Sequence, residues 1–202
     1  MLVLRNNTPE DALARMKSFV REGDLVFRDA GKQFPEAKGV RFYASAKQLL
    51  KNLSNLGHDV TYICYDPEHW PDTPVDEQTH LVDWVRRASE AVHTSGRTFM
   101  LTPDRTFNQE LADKLAPFVD IYDLQGQGLQ REAAGYQEFY QKIVPQIRQA
   151  NPKALLLCQI TVSRPGWTAA EAMAAWNSVK DQVDGVVVWY AAKPDSLAAF
   201  IE

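Results

Sequence analysis

The chain is short of cysteine, of long apolar runs and of surplus positive charge, and each shortage removes a class of protein. Only Cys64 and Cys158 occur in 202 residues. Two cysteines make no disulfide framework. Each sits in an apolar run, where a lone cysteine behaves as a small buried hydrophobe, so a reducing compartment is compatible but not required. No Cys or His falls at a zinc-type spacing; His58, His69, His80 and His93 are scattered, and His80 and His93 read as helix-surface residues. No apolar stretch approaches the ~20 residues of a membrane span. The net charge is −4 with no dense Lys/Arg stripe, so neither nucleic acid nor an anionic membrane is an expected partner. Met1–Leu4 is too short for a signal peptide and Arg5 follows it, which leaves a soluble protein, cytoplasmic or secreted with a trimmed leader. There is no P-loop, and Gly126-Gln127-Gly128 carries Arg131 where a dinucleotide fingerprint needs its last glycine. No lysine lies late in a middle strand as a Schiff-base residue would, Lys193 falling beyond the last run. No cofactor is therefore expected.

What is present is an ordinary globular composition, 45% hydrophobic and 24% charged, without repeats or linkers, read as one domain over residues 1–202. Strand-like runs alternate with amphipathic helices. The runs are Leu2–Leu4, Leu25–Phe27, Val40–Tyr43, Val60–Tyr65, Thr98–Leu101, Val119–Leu124, Ala154–Ile160 and Gly185–Trp189. Helices are expected from Thr8 to Gly23, over Ala46–Leu56, Pro74–Thr94, Gln109–Leu115, Ala133–Gln149 and Ala169–Lys180, and from Pro194. Thr8-Pro9 and Thr73-Pro74 open theirs with a cap and a first-turn proline, and Thr168 with Glu171 forms a capping box. Strands separated by helices pair in parallel. Eight of them predict a minimal (β/α)8 barrel, with an irregular second unit because a loop containing Gly31, Pro35 and Gly39 replaces its helix. An open doubly wound sheet is the alternative.

A barrel keeps its chemistry at the C-terminal ends of its strands. Those ends read Arg28-Asp29, Tyr43, Asp66-Pro67-Glu68 with His69-Trp70, Thr102-Pro103-Asp104, Tyr122-Asp123 with Gln125 and Gln127, Gln159 with Arg164 and Trp167, and Trp189-Tyr190. The opposite ends are plainer, and Asp59, Asp120 and Asp184 read there as capping residues. Amides and carboxylates beside aromatics suit a polyhydroxylated ligand. Tyr43, Trp70, Asp104, Gln125, Gln127, Gln159 and Trp189 are the candidate substrate-binding residues. Asp66 and Glu68 are two apart, so on an extended chain they point the same way. Burial beside Tyr65 and Trp70 would raise one pKa and make a general acid; the plain alternative is a pair of loop carboxylates bound to backbone N–H groups or an arginine. A metal on Asp66, Glu68 and His69 would need a bend, because neighbouring residues alternate sides.

Three strand ends resemble the chitinase-like family 18 glycoside hydrolases. The fourth strand of that family ends in Asp-x-Glu, as Asp66-Pro67-Glu68 does; its sixth carries Tyr-Asp, as Tyr122-Asp123; its eighth a tryptophan, as Trp189. The resemblance implies Glu68 as general acid and Asp66 orienting a substrate N-acetyl group, with Tyr122 and Asp123 supporting that group. This chain has Cys64 and Thr61 where the family carries further aspartates, and no room for its inserted subdomain; the shorter endoglycosidases are the nearer comparison. The expectation is a glycoside hydrolase-like barrel acting on a small-molecule or oligosaccharide ligand. A non-catalytic carbohydrate-binding barrel and a metal-assisted hydrolase or lyase are the alternatives.

Overall fold

Runs of β-branched and aromatic residues, each followed by an amphipathic stretch, have one economical arrangement: parallel strands inside a ring of helices. In the computed structural model, which describes residues 2–3, 21–27, 38–162 and 166–189, the strands are β1 Leu2–Val3, β2 Leu25–Phe27, β3 Lys38–Tyr43, β4 Tyr62–Tyr65, β5 Thr98–Leu101, β6 Ile121–Leu124, β7 Leu155–Thr161 and β8 Gly185–Trp189. They form a closed barrel in chain order, all neighbours parallel, and β8 returns to β1 through Leu2↔Val188 and Val3↔Trp189. The helices are α1 Ala46–Asn52, α2 Val75–Thr79, α3 Leu81–Thr94, α4 Arg105–Leu115, α5 Ala133–Ala150 and α6 Ala169–Val179. The expected (β/α)8 barrel is the observed fold. The helix expected from Thr8, Leu4, Arg28-Asp29, the irregular second loop, Arg164, Tyr190 and the helix from Pro194 lie outside the described residues. No helix among the described residues is long and apolar enough to cross a membrane.

Strand boundaries differ from the apolar runs where a side chain takes a backbone group from the ladder. β4 starts at Tyr62 rather than Val60, whose carbonyl accepts from Arg97 Nε at 2.9 Å. β6 starts at Ile121 rather than Val119, whose carbonyl accepts from Asn151 Nδ2 at 2.9 Å. The helix expected over Pro74–Thr94 is interrupted at His80 (φ −118°, ψ 40°). His80 N still reaches Asp76 O, and Trp84 N reaches His80 O, so the apolar stripe runs on across the break and hides it from the periodicity. α4 begins four residues earlier than expected because Asp104 caps it, accepting from Phe107 N at 2.9 Å. The Thr168–Glu171 capping box opens α6 as expected.

Alternation along each strand divides the core in two. Val40, Cys64, Met100, Ile121 and Val187 fill the barrel. Ile63, Tyr65, Phe99, Leu101, Leu156 and Val188 face outward and pack against Leu81, Val85, Ala88 and Val92 of α3, Ile143 and Ile147 of α5, and Ala172 and Ala175 of α6. Trp84 and Trp176 pack partly buried against this outer layer, as expected of helix tryptophans. At the N-terminal rim Asp120 accepts from Phe99 N at 2.8 Å and Asp184 from Leu156 N at 2.7 Å, holding strand starts.

Glu77 is the main polar anchor of the outer layer. It belongs to α2 yet caps a different helix: its carboxylate accepts from Ala46 N (2.6 Å), Lys47 N (3.1 Å) and Ser45 Oγ (2.8 Å) at the start of α1, and from Tyr65 OH (2.9 Å) on β4. It is fully buried. Burial and the Glu77 charge push the Tyr65 phenol up, so it stays a donor. Glu77→Gln is expected to lower the unfolding free energy by about 2–4 kcal/mol, because charge-assisted bonds are lost while buried donors remain. Urea unfolding should give a lower midpoint at an unchanged m-value.

Candidate active site at the C-terminal rim

The inward set of each strand continues past the strand end, and this builds the site. On β4 the inward residues Tyr62 and Cys64 lead to Asp66, whose N–H still bonds Tyr43 O at 2.9 Å. On β5 Met100 leads to Thr102, whose N–H bonds Tyr65 O at 2.9 Å. Ile121 leads to Asp123 and then Gln125. Leu157 leads to Gln159 on β7, and Val187 to Trp189 on β8. Asp66, Thr102, Asp123, Gln125 and Gln159 line a small pocket with Phe42 and Trp189 as its apolar walls.

Gln125 is the hub. Its Nε2 donates to Asp66 Oδ1 (2.8 Å), Glu68 Oε1 (3.0 Å) and the Thr102 carbonyl (3.0 Å), and its Oε1 accepts from Gln127 Nε2 (3.0 Å). Three acceptors around one nitrogen settle which way the amide faces. Two tyrosines on α5 hold the strands that carry it. Tyr140 OH donates to Leu124 O at 2.6 Å and accepts from Gln159 N at 3.2 Å; Tyr136 OH donates to Gln159 O at 2.9 Å. Both pack so closely on Gly126 that a Cβ there would sit 2.7 Å from Tyr140 Cε2 and 2.9 Å from Tyr136 Cε2. Gly126 therefore serves a close approach behind Gln125.

The carboxylates differ in support. Asp66 is 2% exposed; burial first, then the charges of Glu68 and Asp123, push its carboxyl up, against the Gln125 hydrogen bond. Asp123 is fully buried, and burial pushes it well above the ordinary range. The positive charge of the chain's N-terminus, and after it the Thr102 hydroxyl, ease that in part; neither Asp123 oxygen has a hydrogen bond of full geometry among the described residues. Thr102 Oγ1 instead meets Cys64 Sγ at 3.3 Å. Burial and Asp66 raise the Cys64 thiol, which keeps it un-ionised and unreactive. Gln159 Oε1 is a further buried acceptor without a partner.

Of the candidates, Asp66, Asp123, Gln125, Gln159 and Trp189 line one pocket, and Glu68 and Gln127 join it through Gln125. Four stand elsewhere. Tyr122 faces outward, buried in the layer beneath the helices, where burial and the charge of Asp113 raise its phenol. It cannot reach the pocket that Asp123 lines, because successive strand residues point to opposite sides. Tyr43 is outward for the same reason, with the Arg41 guanidinium 5.9 Å from its ring. Asp104 caps α4 and holds His69, whose N–H and Nδ1 lie 2.9 and 2.6 Å from Asp104 Oδ2 and whose ring stacks on Phe107. Trp70 donates from Nε1 to Thr73 Oγ1 at 2.9 Å in the loop before α2. Phe42 is a lining residue that the strand-end reading passed over, and Thr102 one that it named as a strand end without making it a candidate; counting every second residue from Val40 and Met100 finds both. Among the described residues no group of three or more His, Cys, Asp or Glu is placed to hold a metal ion.

A closed parallel barrel with an acid–amide pocket at its C-terminal rim is the class these features define. No protein-family model matches the chain, and no curated protein sequence matches it. Solved structures do. The 3-keto-D-glucoside 4-epimerase YcjR from E. coli is similar at 12% identity with a TM-score of 0.54, over 99% of this chain and 95% of that one. The endo-1,4-β-D-mannanase from Thermotoga petrophila RKU-1 is similar at 11% identity and TM-score 0.51, over 78% of this chain and 65% of that one. A glycosyl hydrolase family 2 member from Bacteroides cellulosilyticus matches at 12% identity and TM-score 0.52, over 90% of this chain but 24% of its own. At such identities the likeness is one of fold; the chain spans less than two thirds of the mannanase and about a quarter of the family 2 protein.

A buried acid with a raised pKa destabilises the fold once ionised. The folded state holds its proton to higher pH than the unfolded chain, so stability falls as pH rises above about 4, by up to ~1.4 kcal/mol per unit for each such group. Asp123→Asn is expected to raise stability at neutral pH and to flatten this decline by one group's share, Asp66 keeping the rest. Urea melts of both proteins from pH 4 to pH 8 check this; parallel curves would contradict it.

Proposed function

We propose that the rim pocket is the active site of a glycoside hydrolase-like barrel acting on a carbohydrate, with Glu68 as general acid and Asp66 assisting. The observation that carries this reading is the Gln125 amide shared between Asp66 Oδ1 and Glu68 Oε1. Those oxygens lie no farther apart than the sum of the two bonds, below the ~6.5–9.5 Å that an inverting carboxylate pair needs for its water. The pair is therefore assigned to hydrolysis with retention. Two carboxylates so close hold one proton between them more readily than they both ionise. Burial keeps that proton on Asp66 in the free protein; Glu68, the half-buried member at the rim, takes it over and gives it to the leaving oxygen as the glycosidic C–O bond breaks. Asp66, beneath it and left ionised, forms a bond to the anomeric carbon as that C–O bond breaks, and the incoming water later displaces it, which gives retention. Glu68 then takes a proton from the incoming water. Trp189 and Phe42 offer faces to sugar C–H surfaces, and Gln127 and Gln159 offer amides to hydroxyls.

The mannanase and the family 2 protein support a carbohydrate-acting barrel only at the level of shared architecture. The family 18 pattern supports the roles of Asp66, Glu68, Asp123 and Trp189 and departs at Tyr122, Cys64 and Thr61. Those departures remove much of the support for a substrate N-acetyl group, and the proposal does not require one. The Cys64–Thr102 contact, where an acid would stand in that family, favours a non-catalytic sugar-binding barrel as the second reading.

Reducing-end release from a panel of N-acetylated and plain oligosaccharides, with calorimetric binding of the same panel, tests both. Glu68→Gln is expected to lower kcat about 10²–10⁴-fold while ligand affinity stays within a few-fold. Binding without release by the wild type would establish the second reading, and neither binding nor release would sink both.

A further inference from the structure

The floor of the pocket has an unbalanced hydrogen-bonding character. Asp123 Oδ1, Asp123 Oδ2 and Gln159 Oε1 are acceptors without partners among the described residues. Asp123 is 0% exposed and Gln159 3% exposed, on the neighbouring strands β6 and β7, and both line the pocket. Asp66 adds a carboxylate beside them, and the Asp123 charge opposes its ionisation. Two amide donors at the site are already engaged: Gln125 Nε2 with Asp66, Glu68 and the Thr102 carbonyl, and Gln127 Nε2 with Gln125. No Lys, Arg or His is among the lining residues. The walls are the aromatic rings of Phe42 and Trp189.

We propose that this floor receives a primary ammonium group of the ligand, which makes the substrate class an amino sugar with a free amine. This rests on the carbohydrate reading above and narrows it. An ammonium brings three N–H donors and no acceptor, which matches the three orphan acceptors one for one once Asp123 is ionised, a state that the ammonium charge itself favours. A hydroxyl brings a single donor. An N-acetyl group brings one N–H and so leaves two of the three acceptors without a donor. A cation is also attracted to aromatic faces, and a buried carboxylate gains most from a charged donor. A carboxylate left buried with neither oxygen bonded costs stability; a charged partner supplied by the ligand offsets that cost only in the complex.

Calorimetry at pH 7 with four probes tests the assignment: the β-1,4-linked glucosamine disaccharide, its fully N-acetylated counterpart, cellobiose, and cyclohexylamine as an amine without a sugar ring. The glucosamine disaccharide is expected to bind about tenfold or more tightly than either neutral disaccharide, and Asp123→Asn is expected to erase that preference. Circular dichroism establishes that the variant is folded. Equal binding of the three disaccharides overturns the ammonium assignment and leaves the carbohydrate reading standing. A preference that survives in Asp123→Asn also overturns it. Binding of cyclohexylamine alone, lost in Asp123→Asn, upholds the ammonium floor and overturns the carbohydrate reading. Saturable binding of Mn²⁺ that depends on Asp123, with no amine bound, overturns the assignment in favour of a metal site, and no binding of any probe overturns both readings.

Discussion

In a closed parallel barrel each strand can deliver only every second residue to the interior, and the rest of this molecule follows from that parity. Cys64 and Asp66 go in, so Ile63 and Tyr65 go out to the helices. Asp123 and Gln125 go in, so Tyr122 and Leu124 go out. The pairing register couples neighbouring strands, with Asp123 beside Leu157 and Thr161 beside Trp189. A one-residue slip would exchange a polar pocket for an apolar one on that strand. Closure between β1 and β8 leaves no edge at which such a slip could be absorbed.

The buried acids show how parity and hydrogen bonding together separate structure from chemistry. Glu77 and Asp123 are both fully buried. Glu77 lies outside the barrel and meets four donors, from α1 and from Tyr65. Asp123 lies inside and meets none of adequate geometry among the described residues. Equal burial with opposite satisfaction marks the first as a joint of the fold and shows that the second has no such part in it. The tyrosine pair on α5 belongs to the first kind. It fixes the ends of β6 and β7 from outside and so holds Gln125 and Gln159 in place from behind.

Much of the fold was legible in the chain. All eight strands fall where apolar runs occur, because burial on both faces demands such runs and helices between them impose parallel pairing. Boundaries were less legible, since Arg97 and Asn151 reach across from other segments to take backbone carbonyls at Val60 and Val119. The break at His80 was invisible because helical hydrogen bonds run past it. At the rim, Asp66, Glu68, Asp123, Gln125, Gln127, Gln159 and Trp189 were found as strand ends and are brought together. Tyr43, Tyr122, Asp104 and Trp70 were found by the same rule and are not in the pocket wall. Position at a strand end gives height along the barrel axis; it does not by itself give the side.

What the amino-acid order determined alone is therefore the number of strands, their parallel sense and which residues crown them. These depend on local periodicity and on the length of each connection, both written along the chain. What only the tertiary structure decided is which crowned residues share a cavity and what each one lacks there. Gln125 meeting Asp66 and Glu68 joins positions 59 and 57 residues apart. Whether Asp123 finds a donor depends on residues from other strands. Hydrogen-bond satisfaction is a property of three-dimensional neighbourhoods, and no pattern along one strand encodes it.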